Sequence, residues 1–369
     1  MEKSKVYFTD MRTSHASLLK KLDRLLTAAG MDSIDFDGKF TAIKVHFGEP
    51  GNVAYLRPNF ARVVVDAVRR RGGKPFLTDC NTLYVGRRKD ALEHLEAAQE
   101  NGFSPLTTGC QIIIADGLKG TDDVAVPLTG TTYVKEAKIG RAIMDADVFV
   151  SLSHFKGHEA TGFGGAVKNI GMGCGSRAGK MEQHNAGKPT VDESLCRNCH
   201  AFAKSCGQDA IRFENDHAVI DHDKCVGCGR CIGACNFDAI SNDTGCAERE
   251  LCMKMAEYAL AVVKDRPHFH VAIIMDVSPI CDCYGANDVP IIPNLGMLAS
   301  FDPVALDQAC ADLCNAAAPL TNSYLAESHE KCDCHDHFTA MHPNTHWEDT
   351  LAHGEAIGIG TRAYELITV

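Results

Sequence analysis

"TAIKVHFGEPGNVAYLRPNFARVVVDAVRRRGGKPFLTD", residues 41–79, sets the architecture. Two short β-rich runs, "TAIKVHF" and "PFLTD", enclose the amphipathic helical stretch "FARVVVDAVRRRGG". Strand, helix and strand in that order build a parallel sheet with the helix laid on one face. The alternation continues. "QIIIADG", "DVFVSLSHF" and "HVAIIMDV" read as further strands, and "RRKDALEHLEAAQENG" and "KEAKIGRAIMDA" as further helices. Gly73 and Gly102 stand where helix C-terminal glycines belong. The expected fold class is α/β, a mostly parallel sheet with helices on both faces.

Residues 191–247 break this pattern. "CRNCHAFAKSC" (Cys196–Cys206) and "CVGCGRCIGAC" (Cys225–Cys235) overlay with an offset of 29. Cys196 falls on Cys225, Cys199 on Cys228 and Cys206 on Cys235, while Phe202 falls on Cys231. The tails "CGQDAI" and "CNFDAI" match too, so this is an internal duplication of the two-cluster ferredoxin kind. In that motif three cysteines of one copy share a cluster with the last cysteine of the other. Cys225, Cys228, Cys231 and Cys206 therefore form a complete set for one 4Fe–4S cluster. Cys196, Cys199 and Cys235 leave the second site one thiolate short, because Phe202 cannot ligate. That site holds a 3Fe–4S cluster, a 4Fe–4S cluster completed by another ligand such as His200 or Cys246, or nothing. Gly207 and Asn236 replace the motif's usual prolines. Zinc is the alternative for the intact set, but the duplicated spacing favours iron and sulfide. The expected organisation is an α/β domain in two parts, 1–190 and 248–369, with a small ferredoxin-like α+β insert at 191–247.

Composition bounds the function. A chain of 369 residues, 45% hydrophobic and 23% charged, is an ordinary globular protein of two or three units. Its net charge of −11 argues against nucleic acid or an anionic membrane as the main partner. The start "MEKSKVYFTDMRTS" lacks a secretory h-region, and no apolar run reaches the roughly 18 residues that span a bilayer. The expected location is cytoplasmic. There, 18 cysteines point to metal ligation or redox chemistry rather than disulfides.

In open α/β sheets ligands bind beyond the carboxyl ends of the strands. The segments leaving these strands carry His46, Asp79, Cys80 and Asp116, then "SHFKGHEATGFGGAVKN" and "DVSPICDCYGAND". His154, Lys156 and His158 alternate, so an extended segment puts them on one face. The following glycine-rich run could cradle an anion, with Lys168, Arg177 and Lys180 adding charge, or simply make tight turns. It matches neither a P-loop nor a dinucleotide fingerprint. Cys281 and Cys283, and "CDCHDH" from Cys332 to His337, offer soft donors for an additional metal. Cys310 and Cys314 share one helix face and read as buried small hydrophobes.

The chain resembles the uncharacterised Fe–S centre proteins of the domain-of-unknown-function 362 family. The resemblance rests on "IKVHFGEPGN", "FLTDCNTLY", "IIIADGLKG", "SHFKGHEATGFGGAVKNIGMGCGSRAGK", the cysteine insert, "CDCYGANDVPIIPNLGMLASFDPVALDQA" and "AIGIGTRAYEL". It implies an α/β domain with a ferredoxin module and iron–sulfur binding, and no particular reaction. Phe202 departs from members with full ligand sets.

Two functions follow. One is a redox enzyme fed by a redox partner protein, in which electrons cross the insert to a small anionic substrate or metal at the strand ends. There Lys156, His158 and Lys168 position the anion, a histidine such as His154 supplies protons, and Cys281 and Cys283 hold metal or touch substrate. The other is a non-catalytic electron carrier or metal-delivery protein. A redox or iron sensor is weaker, since no basic stripe supports transcriptional output.

Overall fold

The computed structural model describes residues 3–369 apart from 15, 84–85, 185–188, 201–202, 204–205, 207–208, 226–230, 232–236, 238, 242–244 and 330–334, and apart from the side chains at 241 and 245–247. In chain order its strands begin with β1 (Ser4–Asp10), β2 (Phe40–Lys44), β3 (Lys74–Asp79), β4 (Ile112–Ile114), β5 (Asp123–Pro127) and β6 (Glu136–Gly140). Next come β7 (Val148–His154), β8 (Lys156–His158), β9 (Gly162–Gly164), β10 (Thr190–Val191), β11 (Ile211–Glu214) and β12 (His217–Ile220). The last are β13 (Ile240–Ser241), β14 (His268–Ile274), β15 (Gly296–Ser300) and β16 (Tyr364–Thr368).

Eight of them form one sheet in the order β16-β1-β15-β14-β7-β2-β3-β4. Only β15 opposes its neighbours; the ladders from β14 to β4 are parallel, as is β1 with β16. The expected mostly parallel α/β sheet is what the chain folds into. Its strands alternate between two apolar layers. Ala42, Phe76, Phe149 and Ala272 face one layer, and Ile43, Leu77, Val150 and Val271 the other. Each of the larger side chains among them, fully buried, contributes about 1.5–3 kcal/mol. A parallel strand covered on both faces reads as a near-continuous apolar run; β7 is buried along its whole length, and the polar Ser151 and His154 within it are hydrogen-bonded.

Helix Pro58–Arg70 shows the local logic. Proline opens it, and Phe60, Ala61, Val64, Val65 and Val68 bury one stripe. Gly72, at φ +81°, takes the left-handed turn after it rather than Gly73, whose Cβ would meet Val68 at 2.6 Å. Gly102 fills the equivalent place after helix Ala91–Glu100, at φ +83°.

"KEAKIGRAIMDA" departs from expectation. It is not one helix but β6 paired with β5, followed by a single turn at Arg141–Met144. Ala137 and Ile139 are buried two residues apart, which is the period of a strand, and only the tail keeps helical geometry.

Between β9 and β14 lies a small unit with its own apolar cluster of Ala218, Cys231, Ala239 and Ile240. Its backbone repeats with the offset of the cysteine runs. Val191 pairs with Ile240, and Ile220, 29 residues after Val191, pairs with Ile211, 29 before Ile240. The amide of Asp192 donates to Ala239 O at 2.8 Å, and that of Asp221 to Ala210 O at 2.7 Å. Two copies thus clasp each other about a pseudo-twofold axis.

Candidate functional site

Segments leaving β2, β3, β7 and β14 converge on a cavity of about 570 Å³. Its walls are built from buried charge. Lys44 ends β2 with no exposed surface, donating to Asn169 Oδ1 at 2.8 Å and pairing with Asp79 at 3.1 Å. Burial pushes the Asp79 carboxyl up, but the charges of Lys44, Lys180 and Arg88, with His94 beside them, together outweigh it and hold the group below its ordinary range. Such a pair persists in the interior only with its hydrogen bonds satisfied. Opposite, Arg88 donates to Glu49 at 2.8 Å and meets His46 Nε2 at 2.9 Å. Burial and then the Arg88 charge press His46 well below its usual pKa.

Lys156 and His158 lie on β8 and line the cavity, as does Lys168 from helix Ala166–Cys174. His158 Nδ1 accepts the amides of Ala160 and Thr161 at 3.1 and 3.2 Å. In the neutral ring the proton therefore sits on Nε2. His154 is not with them. Its Nδ1 contacts Asp282 at 2.9 Å and its Nε2 contacts Met275 O at 2.7 Å, so both nitrogens are occupied behind the wall.

The loop after β14 brings Cys281, Asp282 and Cys283 against this group. Ligand atoms of His158, Cys281 and Cys283 lie within 4.8 Å of one another, a set that could hold a metal ion. Lys168 Nζ stands 3.8 Å from Cys281 Sγ. A hydrogen bond from Cys283, with the charges of Lys168 and Lys156 opposing burial, draws the Cys281 thiol well below its ordinary pKa. Cys283, which keeps the shared proton, is raised. Burial pulls Lys168 down, but Cys281, Cys283, Glu159 and Asp282 together overcome it and the ammonium is held.

Of the other expected residues, Cys80 and Lys180 also line the cavity, the Cys80 thiol donating to Cys174 O at 3.3 Å, whereas Asp116 is not among its lining and accepts Asn81 N at 2.9 Å. The glycine run serves close packing: a Cβ at Gly171 would lie 2.0 Å from Met255 O. The helix N-terminus that follows it is taken by Asp307, which accepts Ala166 N at 2.6 Å and Val167 N at 2.8 Å. Cys310 and Cys314 are buried in the core. Cys228, Cys235, Phe202, Cys332 and Cys334 lie outside the described residues, as does the side chain of Cys246. Sequence reasoning passed over Lys44, Arg88 and Asp282. A lysine inside the apolar run "TAIKVHF" was the available signal for the first.

The model of the family described as Domain of unknown function (DUF362) matches residues 41–312. The chain belongs to that family. The DUF362 match covers every cavity residue named above and the cysteine-rich unit. A curated relative, a thylakoid-associated protein of Synechocystis sp., is 28% identical over 162 residues, 43% of this chain and 46% of the relative. The match thus spans about half the length of that relative. Among solved structures, the lactate racemase apoprotein of Thermoanaerobacterium thermosaccharolyticum is similar at TM-score 0.37 and 13% identity, over 74% of this chain and 51% of that one. A Thermotoga maritima protein is similar at TM-score 0.40 and 12% identity, over 79% of this chain and 57% of that one.

In the cysteine-rich unit, Cys196 Sγ accepts Ala218 N and Cys206 Sγ accepts Ala210 N, each at 3.4 Å. His200, at φ +57°, stacks on Phe213 with ring centres 3.8 Å apart. Among the described residues no helix is long and apolar enough to cross a membrane.

Proposed function

We propose that this DUF362 protein is an iron–sulfur oxidoreductase that acts on a small anionic molecule in the cavity at the strand ends. The observation that carries this reading is where the cysteine-rich unit is rooted. His184 precedes it, Leu251 and Met255 follow it, and all three line the cavity. Both connections of the unit therefore meet the candidate site.

Cys206, Cys225, Cys228 and Cys231 would hold one 4Fe–4S cluster. Cys196, Cys199 and Cys235 would form the incomplete second site. Backbone amides donating to Cys196 and Cys206 sulfur fit this role, since such bonds accompany and tune cluster thiolates. When bound, the cluster supplies electrons singly, received from a redox partner protein. The chain's own residues do the rest. Lys156 and Lys168 attract the anion into a space screened from bulk water, where charge acts strongly. His158 offers its Nε2 proton, the Nδ1 side being fixed by two amides. Asp282 steadies Lys156 at 3.7 Å. An open cavity of this size suits an enzyme better than a carrier, which needs only a docking face.

The test uses oxygen-free, dithionite-reduced full-length protein and a panel of small carboxylates and oxyanions. A productive acceptor should restore the oxidised visible spectrum. Lys156→Ala combined with His158→Ala should keep the spectrum and slow that return about 100-fold or more, the scale of lost acid catalysis. An unchanged rate would refute the assignment.

A further inference from the structure

The paired thiols beside His158 have a chemistry of their own. Their sulfur atoms lie within 4.8 Å of each other on residues two apart. Cys283 reaches the cavity, whereas Cys281 is buried behind it at 1% exposure. A metal dication would have to sit beside the Lys168 ammonium, 3.8 Å from Cys281 Sγ, and near Lys156. It would also need an unprotonated ring nitrogen from His158, yet Nδ1 is engaged by two amides and Nε2 carries the proton. Zinc-ligating histidines show the reverse arrangement, with the second nitrogen donating outward. The surroundings suit a thiolate held by an ammonium and a hydrogen-bond donor.

We propose that Cys281 and Cys283 form a redox-active dithiol at the wall of the cavity. In the reduced pair one sulfur is a thiolate and the other a thiol. When a small anionic two-electron acceptor occupies the cavity, the Cys283 S–H bond breaks and a sulfur–sulfur bond forms. Two electrons and that proton pass to the acceptor. Reopening the disulfide takes two electrons and one proton; a cluster held by the iron–sulfur unit would supply the electrons, and in this step the inference rests on the reading above. Cys281 returns as the thiolate beside Lys168, and Cys283 takes the proton. The cavity thus converts single electrons into a pair.

The experiment equilibrates the full-length protein, without oxygen, in mixtures of oxidised and reduced dithiothreitol, alkylates it, and weighs the peptide spanning residues 281–283. The expected result is one transition from a doubly alkylated peptide to an unalkylated one lighter by two hydrogens. Lys168→Met removes the charge that favours the reduced form. It should therefore shift the dithiol-to-disulfide ratio about tenfold toward disulfide at a fixed mixture. A peptide that stays doubly alkylated in every mixture overturns the proposal. So does zinc or iron in stoichiometric amount that disappears with Cys281→Ser. A separate arm uses reduced methyl viologen as the electron source. Reopening in the wild type but not in Cys225→Ala supports delivery through the iron–sulfur unit. A dithiothreitol transition without reopening by viologen upholds the dithiol and overturns that route.

Discussion

Asp282 sits between two cysteines with no exposed surface and binds two segments of the wall together. It receives His154 at 2.9 Å and stands 3.7 Å from Lys156. Removing one partner of a buried charge pair strands the other in a low dielectric. Asp282→Ala should therefore cost about 3–5 kcal/mol, read as a lower urea midpoint at neutral pH. His94 makes a second residue-scale statement. It is fully buried, edge-on to Phe47 at 5.8 Å, and burial presses its pKa down to about 3. The unfolded ring binds a proton near pH 6.5, so the folded state loses stability as pH falls from there toward 3. Between pH 6.5 and 5 the wild type should lose about 2 kcal/mol more than His94→Gln, measured by urea titration at both values. A parallel loss in both proteins would contradict this. "CDC" and "HFKGH" were legible as chemistry from residue types alone. The roles inside them were not, because Asp282 lies 128 positions from His154 and only the fold brings them together.

Elements were read best where period and boundary agreed. Strands β2, β3, β4, β7 and β14 all lie in runs that are apolar and β-branched, and helix Pro58–Arg70 in a stripe closed by glycine. β15 escaped notice because "GMLAS" is short and lacks alternation. "KEAKIGRAIMDA" misled because its lysines and alanines suit a helix, while pairing with β5 decides the outcome. The glycine run shows the same dependence on neighbours. Helix Ala166–Cys174 packs on helix Gly245–Val263, which leads out of the cysteine-rich unit, and Gly171 permits the contact. Gly171→Ala drives a methyl into the Met255 carbonyl and should cost about 1–3 kcal/mol, seen in denaturant unfolding. Stability equal to wild type would show that the two helices can separate without loss.

At the scale of the whole molecule, charge is sorted. The chain carries a net −11, yet one cavity gathers five cations, Lys44, Arg88, Lys156, Lys168 and Lys180, against three carboxylates, Glu49, Asp79 and Glu159. Under the proposed function, the acidic net charge suits approach of a basic redox partner, and the excess of cations over carboxylates in the cavity suits a small anion. Residues on both sides of the duplicated unit, His184 before it and Leu251 and Met255 after it, line that cavity. The unit's cysteine spacing was legible in the sequence and its clasped backbone was not, since the pseudo-twofold pairing depends on contacts between the copies. Everything functional turns on whether that unit carries iron. Electron paramagnetic resonance of oxygen-free, dithionite-reduced full-length protein, with iron and sulfide quantified, addresses this most directly. The account predicts at least one 4Fe–4S equivalent of iron and of sulfide, and a reduced 4Fe–4S signal that Cys225→Ala abolishes. Colourless protein with bound zinc and no signal would contradict it.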